Sequence, residues 1–106
     1  MAYLNDYLGT TETTVIAGTA SELKIPASIF FRNTDTATRT VTIYEYGAGG
    51  SAIDKYSALS FDIPAGDTMD YLDGGKRFIG ENDKISALAD VVDKVAVKVN
   101  YIVKAV

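Results

Sequence analysis

The sequence contains no cysteine, no histidine and no tryptophan, and the first two absences exclude whole classes of chemistry. Without cysteine the chain has no disulfide framework, no thiol nucleophile and no thiolate metal site. Without histidine it lacks the commonest metal ligand and the commonest general base of proteins. Ser-His-Asp and Cys-His mechanisms are therefore excluded, as are zinc fingers and histidine-ligated haem. These absences favour a structural or binding protein, and we expect no enzyme activity.

Long runs of one charge and long apolar runs are also missing. The 10 basic and 14 acidic residues give a net charge of −4, and no basic run exceeds the pair Lys76-Arg77. A net negative charge disfavours nucleic-acid binding, because a basic surface supplies most of the affinity for nucleic acids. No segment approaches the ~18 consecutive apolar residues of a membrane span. At 106 residues the chain suits one domain with one modest core. We expect no nucleic acid, membrane or cofactor as a partner.

What the sequence does have is a hydrophobic period of two, which is the period of β-strands. Val41 and Ile43 share one face of a segment that ends at Tyr46. Turn signals separate the segments at roughly the 8–12-residue spacing of β-sandwiches. The predicted strands cover residues 13–17, 23–25, 27–33, 40–46, 57–63, 68–72, 83–90 and 94–104. The pattern predicts an all-β fold, an antiparallel β-sandwich of jelly-roll or immunoglobulin-like type with about seven to eight short strands.

One turn signal is specific enough to place its residues. In Ile63-Pro64-Ala65-Gly66, the fixed φ of Pro64 suits the second position of a β-turn. Gly66 then takes the fourth position. The sequence therefore predicts a turn over residues 63–66.

The first twelve residues differ from the rest and are interpreted as an N-terminal arm, with residues 13–106 forming the single β-sandwich domain. Tyr3, Leu4, Tyr7 and Leu8 would form one apolar face if this segment became helical. Two interpretations stay open. The segment docks on a neighbouring subunit, or it is an edge segment that folds back onto its own sandwich. On the first interpretation these four residues are candidate interface residues.

A second candidate interface consists of Tyr44 and Tyr46. They fall on the strand face opposite Val41 and Ile43, so they form an exposed aromatic pair if those two residues point into the core. Tyrosine is favoured at interfaces because it is large, fairly rigid and amphipathic. The alternative is that the pair only covers a sheet face. We favour interface use and expect Tyr44 and Tyr46 to contact a partner.

The sequence offers no convincing catalytic, cofactor or metal site. Asp67, Asp70 and Asp73 recur at intervals of three and carry the oxygen ligands that Ca²⁺ takes. On a strand this spacing alternates between faces, so we favour a solvated acidic edge over a calcium site. The glycine-rich segments 47–50 and 73–77 do not match nucleotide-binding loops, and we expect turns there.

The order of strands and turns resembles that of small β-sandwich virion proteins of tailed bacteriophages, over roughly residues 28–103. The segments that carry the resemblance are the strand 39–44, the small-residue loop 47–52, the run Phe61-Asp62-Ile63-Pro64-Ala65-Gly66-Asp67-Thr68, the strand 83–89 and the alternating valines of 95–103. These are turn and strand signatures rather than catalytic motifs. The resemblance implies a structural role in a phage particle, either on the capsid or in the tail, and therefore location in the virion after synthesis in the host cytoplasm.

On this resemblance we expect a capsid decoration (cement) protein, which stabilises the head by binding neighbouring capsid subunits. The expected partners are the major capsid protein or other virion proteins, together with further copies of this chain, with a trimer favoured. A tail, connector or fibre-base component is the alternative within the virion. A small calcium- or carbohydrate-binding β-module is the alternative of another class.

Overall fold

The described part of the chain consists of β-strands joined by turns. The computed structural model describes the backbone of residues 2–46, 55–72 and 83–105, with the side chains of 6–46, 59–72 and 83–105. The strands are β1 (Ala2–Tyr7), β2 (Thr13–Ala17), β3 (Glu22–Asn33), β4 (Arg39–Tyr46), β5 (Lys55–Ile63), β6 (Thr68–Asp70), β7 (Lys84–Ala89) and β8 (Val95–Ala105). These ranges contain no helix long and apolar enough to cross a bilayer. The predicted all-β class is confirmed.

The eight strands form two antiparallel sheets of four. The first sheet has the order β1-β8-β3-β6 and the second has the order β2-β7-β4-β5. The first strand pairs with the eighth, the second with the seventh, the third with the sixth and the fourth with the fifth. The chain is therefore one long antiparallel ribbon, rolled so that successive strand pairs fall in opposite sheets. The pairings β3–β8 and β4–β7 complete the sheets. This arrangement is a jelly roll.

The core lies between the two sheets and is built from the alternating residues of their facing strands. Val95, Val97 and Val99 of β8 point inward from the first sheet, and Val41 and Ile43 of β4 point inward from the second. All five are at most 2% exposed, so the face that Val41 and Ile43 share is the inward face of β4. Complete burial of one such side chain contributes about 1.5–3 kcal/mol relative to its exposure.

Strand β3 joins two segments that the sequence pattern separates. An extra residue, Ala27, lies between Pro26 and Ser28, which pair with consecutive residues of β8. This β-bulge shifts the alternation by one position, which is why residues 23–25 and 27–33 read as two strands. Pro26 lacks an N–H and is tolerated because β6 pairs with β3 only at residues 30–32, leaving this end of β3 with one neighbour.

The N-terminal segment forms an edge strand rather than a separate arm. Residues 2–7 make up β1 and pair with residues 96–101 of β8. At its end the Leu8 N–H donates to the carbonyl of Val95 at 2.8 Å, and the Leu8 side chain is buried in the core. The main-chain groups along one side of β8 are hydrogen-bonded by β1 of the same chain. Of the two open interpretations of the N-terminal segment, residues 2–8 fit the one in which the segment folds back onto its own sandwich.

The turn between β5 and β6 lies one residue later than predicted. The Asp67 N–H donates to the carbonyl of Pro64 at 3.0 Å, so the turn spans residues 64–67. Gly66 occupies its third position with a φ of +77°, a left-handed conformation that a residue with a Cβ adopts at a cost.

Candidate functional site

The outer face of the first sheet brings together residues from four strands. Tyr7 lies opposite Ala96, Ala96 opposite Arg32, and Arg32 opposite Thr68, which makes one row across β1, β8, β3 and β6. Residues that lie opposite one another on neighbouring strands point to the same face of a sheet. This face is directed away from the core, because the inward positions of β8 are Val95, Val97 and Val99.

A second row lies beside the first. It consists of Lys98 on β8, Phe30 on β3 and Asp70 on β6, again directly opposite one another. Arg32 and Lys98 are diagonal neighbours across the two strands, and such positions lie about 7–8 Å apart. The two rows therefore place two aromatic rings, two cations and the carboxylate of Asp70 on the same face.

A groove of about 280 Å³ lies between these side chains. We call it the outer-face groove. It is lined by Phe30, Arg32, Thr68, Ala96 and Lys98. Ala96 is the smallest of them and lies between larger neighbours, which leaves a depression in the surface of the sheet.

The charge of the outer-face groove differs from that of the whole chain. Arg32 and Lys98 are both exposed, and in the described ranges neither forms an ion pair. The described ion pairs instead join Arg39 to Asp35 and Asp90. Among the described residues, two cations without an ion pair beside an apolar floor are a local exception in a protein with a net charge of −4, although Asp70 lies on the same face. The groove therefore favours a ligand that has negative charge beside an apolar group.

Tyr7 is the predicted interface residue that the structure leaves most accessible. Its side chain is 50% exposed, and its position opposite Ala96 places it at the border of the outer-face groove. Tyr3 and Leu4 belong to the backbone of β1, where Tyr3 lies opposite Asn100, but their side chains lie outside the described residues. Leu8 is 1% exposed and packs in the core, so its side chain offers no surface to a partner.

The tyrosines of β4 do not form an exposed pair. Tyr44 is half-buried, and Tyr46 is only 6% exposed although it lies on the outer face of the second sheet, as expected. The Tyr46 hydroxyl donates to Oε1 of Glu12, and the Ser86 hydroxyl donates to the same oxygen at 2.5 Å. Lys84 places its Nζ 4.7 Å from the centre of the Tyr46 ring. The expectation of an exposed pair is corrected, because Glu12 and Lys84 cover Tyr46.

The hydrogen bond to Glu12 also changes the acidity of Tyr46. This hydrogen bond favours the neutral phenol, and burial of the side chain acts in the same direction. Together they raise the pKa of Tyr46 from 10.0 to about 12. Tyr46 is therefore a neutral hydrogen-bond donor that fixes the segment leading into β2 against the second sheet.

The acidic residues of the predicted edge do not converge on a metal site in the described part of the chain. Asp67 and Asp70 are exposed, and Asp70 accepts a hydrogen bond from the Leu72 N–H at 3.2 Å. Asp73 lies outside the described residues. Among the side chains that the structure describes, no group of three or more metal-ligating residues is found.

Phe30, Arg32, Ala96 and Lys98 are functional candidates that the sequence pattern does not single out. Alternation places each of them on the outward face of its strand. Their proximity depends on the pairing of β3 with β8, which lie far apart in the chain, and no sequence motif marks that register. Comparison with protein-family models, with curated proteins and with solved structures finds no match for this chain.

Proposed function

We propose that this protein is a structural protein of a tailed-bacteriophage virion, and specifically a decoration protein that binds neighbouring capsid subunits. The observation that carries the proposal is the outer face of the first sheet, where exposed Tyr7 borders a groove with two cations that form no ion pair with any residue that the structure describes. The order of strands and turns in the sequence supports a structural role in a phage particle. The jelly roll is an architecture that virus capsid proteins use. Because one fold hosts many functions, we infer binding from this surface rather than from the fold.

The composition of this face suits protein recognition. Tyrosine, phenylalanine and arginine are enriched at interfaces, and tyrosine and arginine dominate binding hot spots. Tyr7, Phe30 and Arg32 provide these residue types on neighbouring strands. We therefore expect the outer face of the first sheet to be the contact surface.

The strand that borders this face offers a second kind of contact. In the described part of the chain, β1 has β8 on one side and no strand on the other. The free main-chain groups of an edge strand can pair with an extended segment of a partner. Strand addition at β1 and side-chain contacts at the groove would bury adjacent surfaces in one interface.

The net charge of −4 suits a position on the outside of the head. A protein in that position binds to the shell and does not need to face packaged DNA, which would repel an acidic chain. A tail or connector position is the alternative within the same class, and the test below separates the two.

The test is binding of the purified full chain to capsid particles assembled from the major capsid protein of the same genome. Particles and free protein are separated on a density gradient, and the bound copies per particle are counted. We expect saturable binding that Tyr7→Ala weakens. Val92→Ala is the matched control, because Val92 is also exposed (56%) but lies in the connection between β7 and β8.

Two outcomes would contradict the decoration assignment. Binding to purified tails and not to capsid particles would assign the protein to the tail. Binding to neither particle would reject a virion structural role altogether.

A further inference from the structure

We propose that the outer-face groove binds a partner segment in which a carboxylate side chain lies next to a large apolar side chain. This inference deepens the proposed function, because it names the chemistry of the partner at the same surface. Its partner is a capsid-protein segment only if the decoration assignment holds. The binding chemistry of the groove can be tested apart from any particle.

The size of the groove limits what can enter it. Its volume of about 280 Å³ lies at or below the low end of ligand pockets, which hold about 300–1,000 Å³. It can accept one large side chain, but not a folded element. Phe30 and Ala96 provide the apolar surface for that side chain, and an aromatic guest would gain edge or face contacts with the Phe30 ring.

The cations define the second part of the ligand. Arg32 presents a planar fork that binds a carboxylate through two parallel hydrogen bonds, and Lys98 adds a mobile positive charge. As diagonal neighbours, they lie close enough for adjacent carboxylates of one peptide to reach both.

The same charges argue for a peptide rather than a nucleic acid. Arg32 and Lys98 are two cations on a chain with a net charge of −4. A polyanion is held by many cations at once and would be repelled by the remainder of the chain. A short peptide with one or two carboxylates can bind in the groove with little repulsion from the acidic remainder of the chain.

The test uses a fluorescein-labelled peptide, Gly-Asp-Phe-Glu-Gly, as the probe, with fluorescence anisotropy on the full chain. We expect saturable binding at low salt. Replacing both acids of the probe with their amides, or its Phe with Ala, should abolish it. Arg32→Gln should weaken binding about 10-fold or more, because a hydrogen bond to a charged group is lost. Lys98→Gln should weaken it about 2–5-fold, as for an exposed charge pair.

Two further variants separate the groove from general charge. Ala96→Leu fills the depression while it leaves both cations in place, and we expect it to block the probe. Lys104→Gln removes the same charge from the same strand as Lys98→Gln, six positions further along β8, and we expect unchanged binding. Circular dichroism of each variant confirms that the strands are intact.

The outcomes are distinct. Equal binding of the acidic and amide probes, or no effect of both Arg32→Gln and Ala96→Leu, would overturn the inference. Tighter binding of a single-stranded DNA probe than of the peptide would also overturn it. If capsid particles bind Arg32→Gln and Ala96→Leu as well as the parent, the decoration assignment stands and the groove proposal fails. If the peptide binds as expected and particles do not, the groove proposal stands and the decoration assignment fails.

Discussion

The side-chain amide of Asn33 donates a hydrogen bond to the main-chain carbonyl of Ile63 at 2.8 Å, between residues 30 positions apart. Asn33 ends β3 in the first sheet, and Ile63 ends β5 in the second, so this bond ties the two sheets together. The same amide nitrogen donates to Ala37 at 2.8 Å, and its oxygen accepts from the Asp35 N–H at 2.9 Å. One fully buried side chain thus closes the β3–β4 turn and joins the sheets.

Asn33→Ala is expected to lower the free energy of unfolding by about 2–4 kcal/mol, because it leaves buried main-chain groups without their partner. Asn100→Ala is the matched control. Asn100 is half-buried and donates one hydrogen bond to Ser28 at 2.8 Å, so its loss should cost about 0.5–1.5 kcal/mol. Urea denaturation of both variants measures the difference. Equal destabilisation would contradict the inter-sheet role of Asn33.

Truncation of Leu8 should lower the stability of the fold, whereas truncation of its neighbour Tyr7 should leave stability nearly unchanged. Leu8→Ala removes a core side chain that is 1% exposed, and we expect a loss of about 2–4 kcal/mol in unfolding free energy. Tyr7→Ala truncates a side chain that is 50% exposed, and we expect a loss below about 1 kcal/mol. Denaturation curves of the two variants test this. A Tyr7→Ala loss as large as that of Leu8→Ala would mean that Tyr7 supports the fold instead of presenting a contact.

Tyr46 should titrate later than an ordinary tyrosine. Its pKa is raised to about 12 by the hydrogen bond to Glu12 and by burial. Ultraviolet difference titration should therefore show a late-forming tyrosinate that is missing in Tyr46→Phe. Glu12→Gln should lower this pKa toward 10, whereas Glu22→Gln should leave it unchanged. A late phase that persists in Tyr46→Phe would assign it to another residue.

The same shift predicts how stability depends on alkaline pH. The pKa of Tyr46 is higher in the folded chain than the value near 10 of an unfolded tyrosine. Its contribution to stability is therefore complete below about pH 10 and is lost as the pH rises toward about 12. Unfolding free energies measured between these values should fall more steeply for the parent chain than for Tyr46→Phe. Identical slopes would contradict this assignment.

A side chain at Gly66 should destabilise the fold through the backbone conformation alone. A Cβ on Gly66 would meet nothing within 4 Å, so any cost of Gly66→Ala comes from its φ of +77°. We expect a loss of about 1–2 kcal/mol in unfolding free energy. Gly9→Ala is the control, because Gly9 has no left-handed φ and its added Cβ would lie 4.0 Å from the Thr11 nitrogen. Thermal unfolding that ranks the two variants in the opposite order would contradict this reason.

The sequence pattern predicts the strands and their inward faces well where the alternation is unbroken. Val41 and Ile43 of β4 share one face, as alternation predicts, because period two is a local property of the chain. Alternation does not predict the continuous strand β3, because the extra residue at the Ala27 bulge reverses which face the following residues occupy. The pairing of β1 with β8 is equally hidden, because it joins the two ends of the described chain.

The surface was harder to predict than the core. Tyr46 lies on the outward face that alternation predicts, but Glu12, 34 positions away, covers it. Conversely, Phe30, Arg32 and Lys98 have no local signal, and only the register between β3 and β8 makes them neighbours. Exposure and site formation depend on long-range pairing, which a period within one strand does not encode.

The central claim is that the outer face of the first sheet binds the capsid shell. The measurement that tests it most directly is a cryo-electron microscopy reconstruction of capsid particles saturated with the full chain. We predict ordered copies on the lattice, with the face that carries Tyr7 and Phe30 turned toward the capsid subunits. Copies attached through the second sheet, or particles that bind no copies at saturating protein, would contradict it.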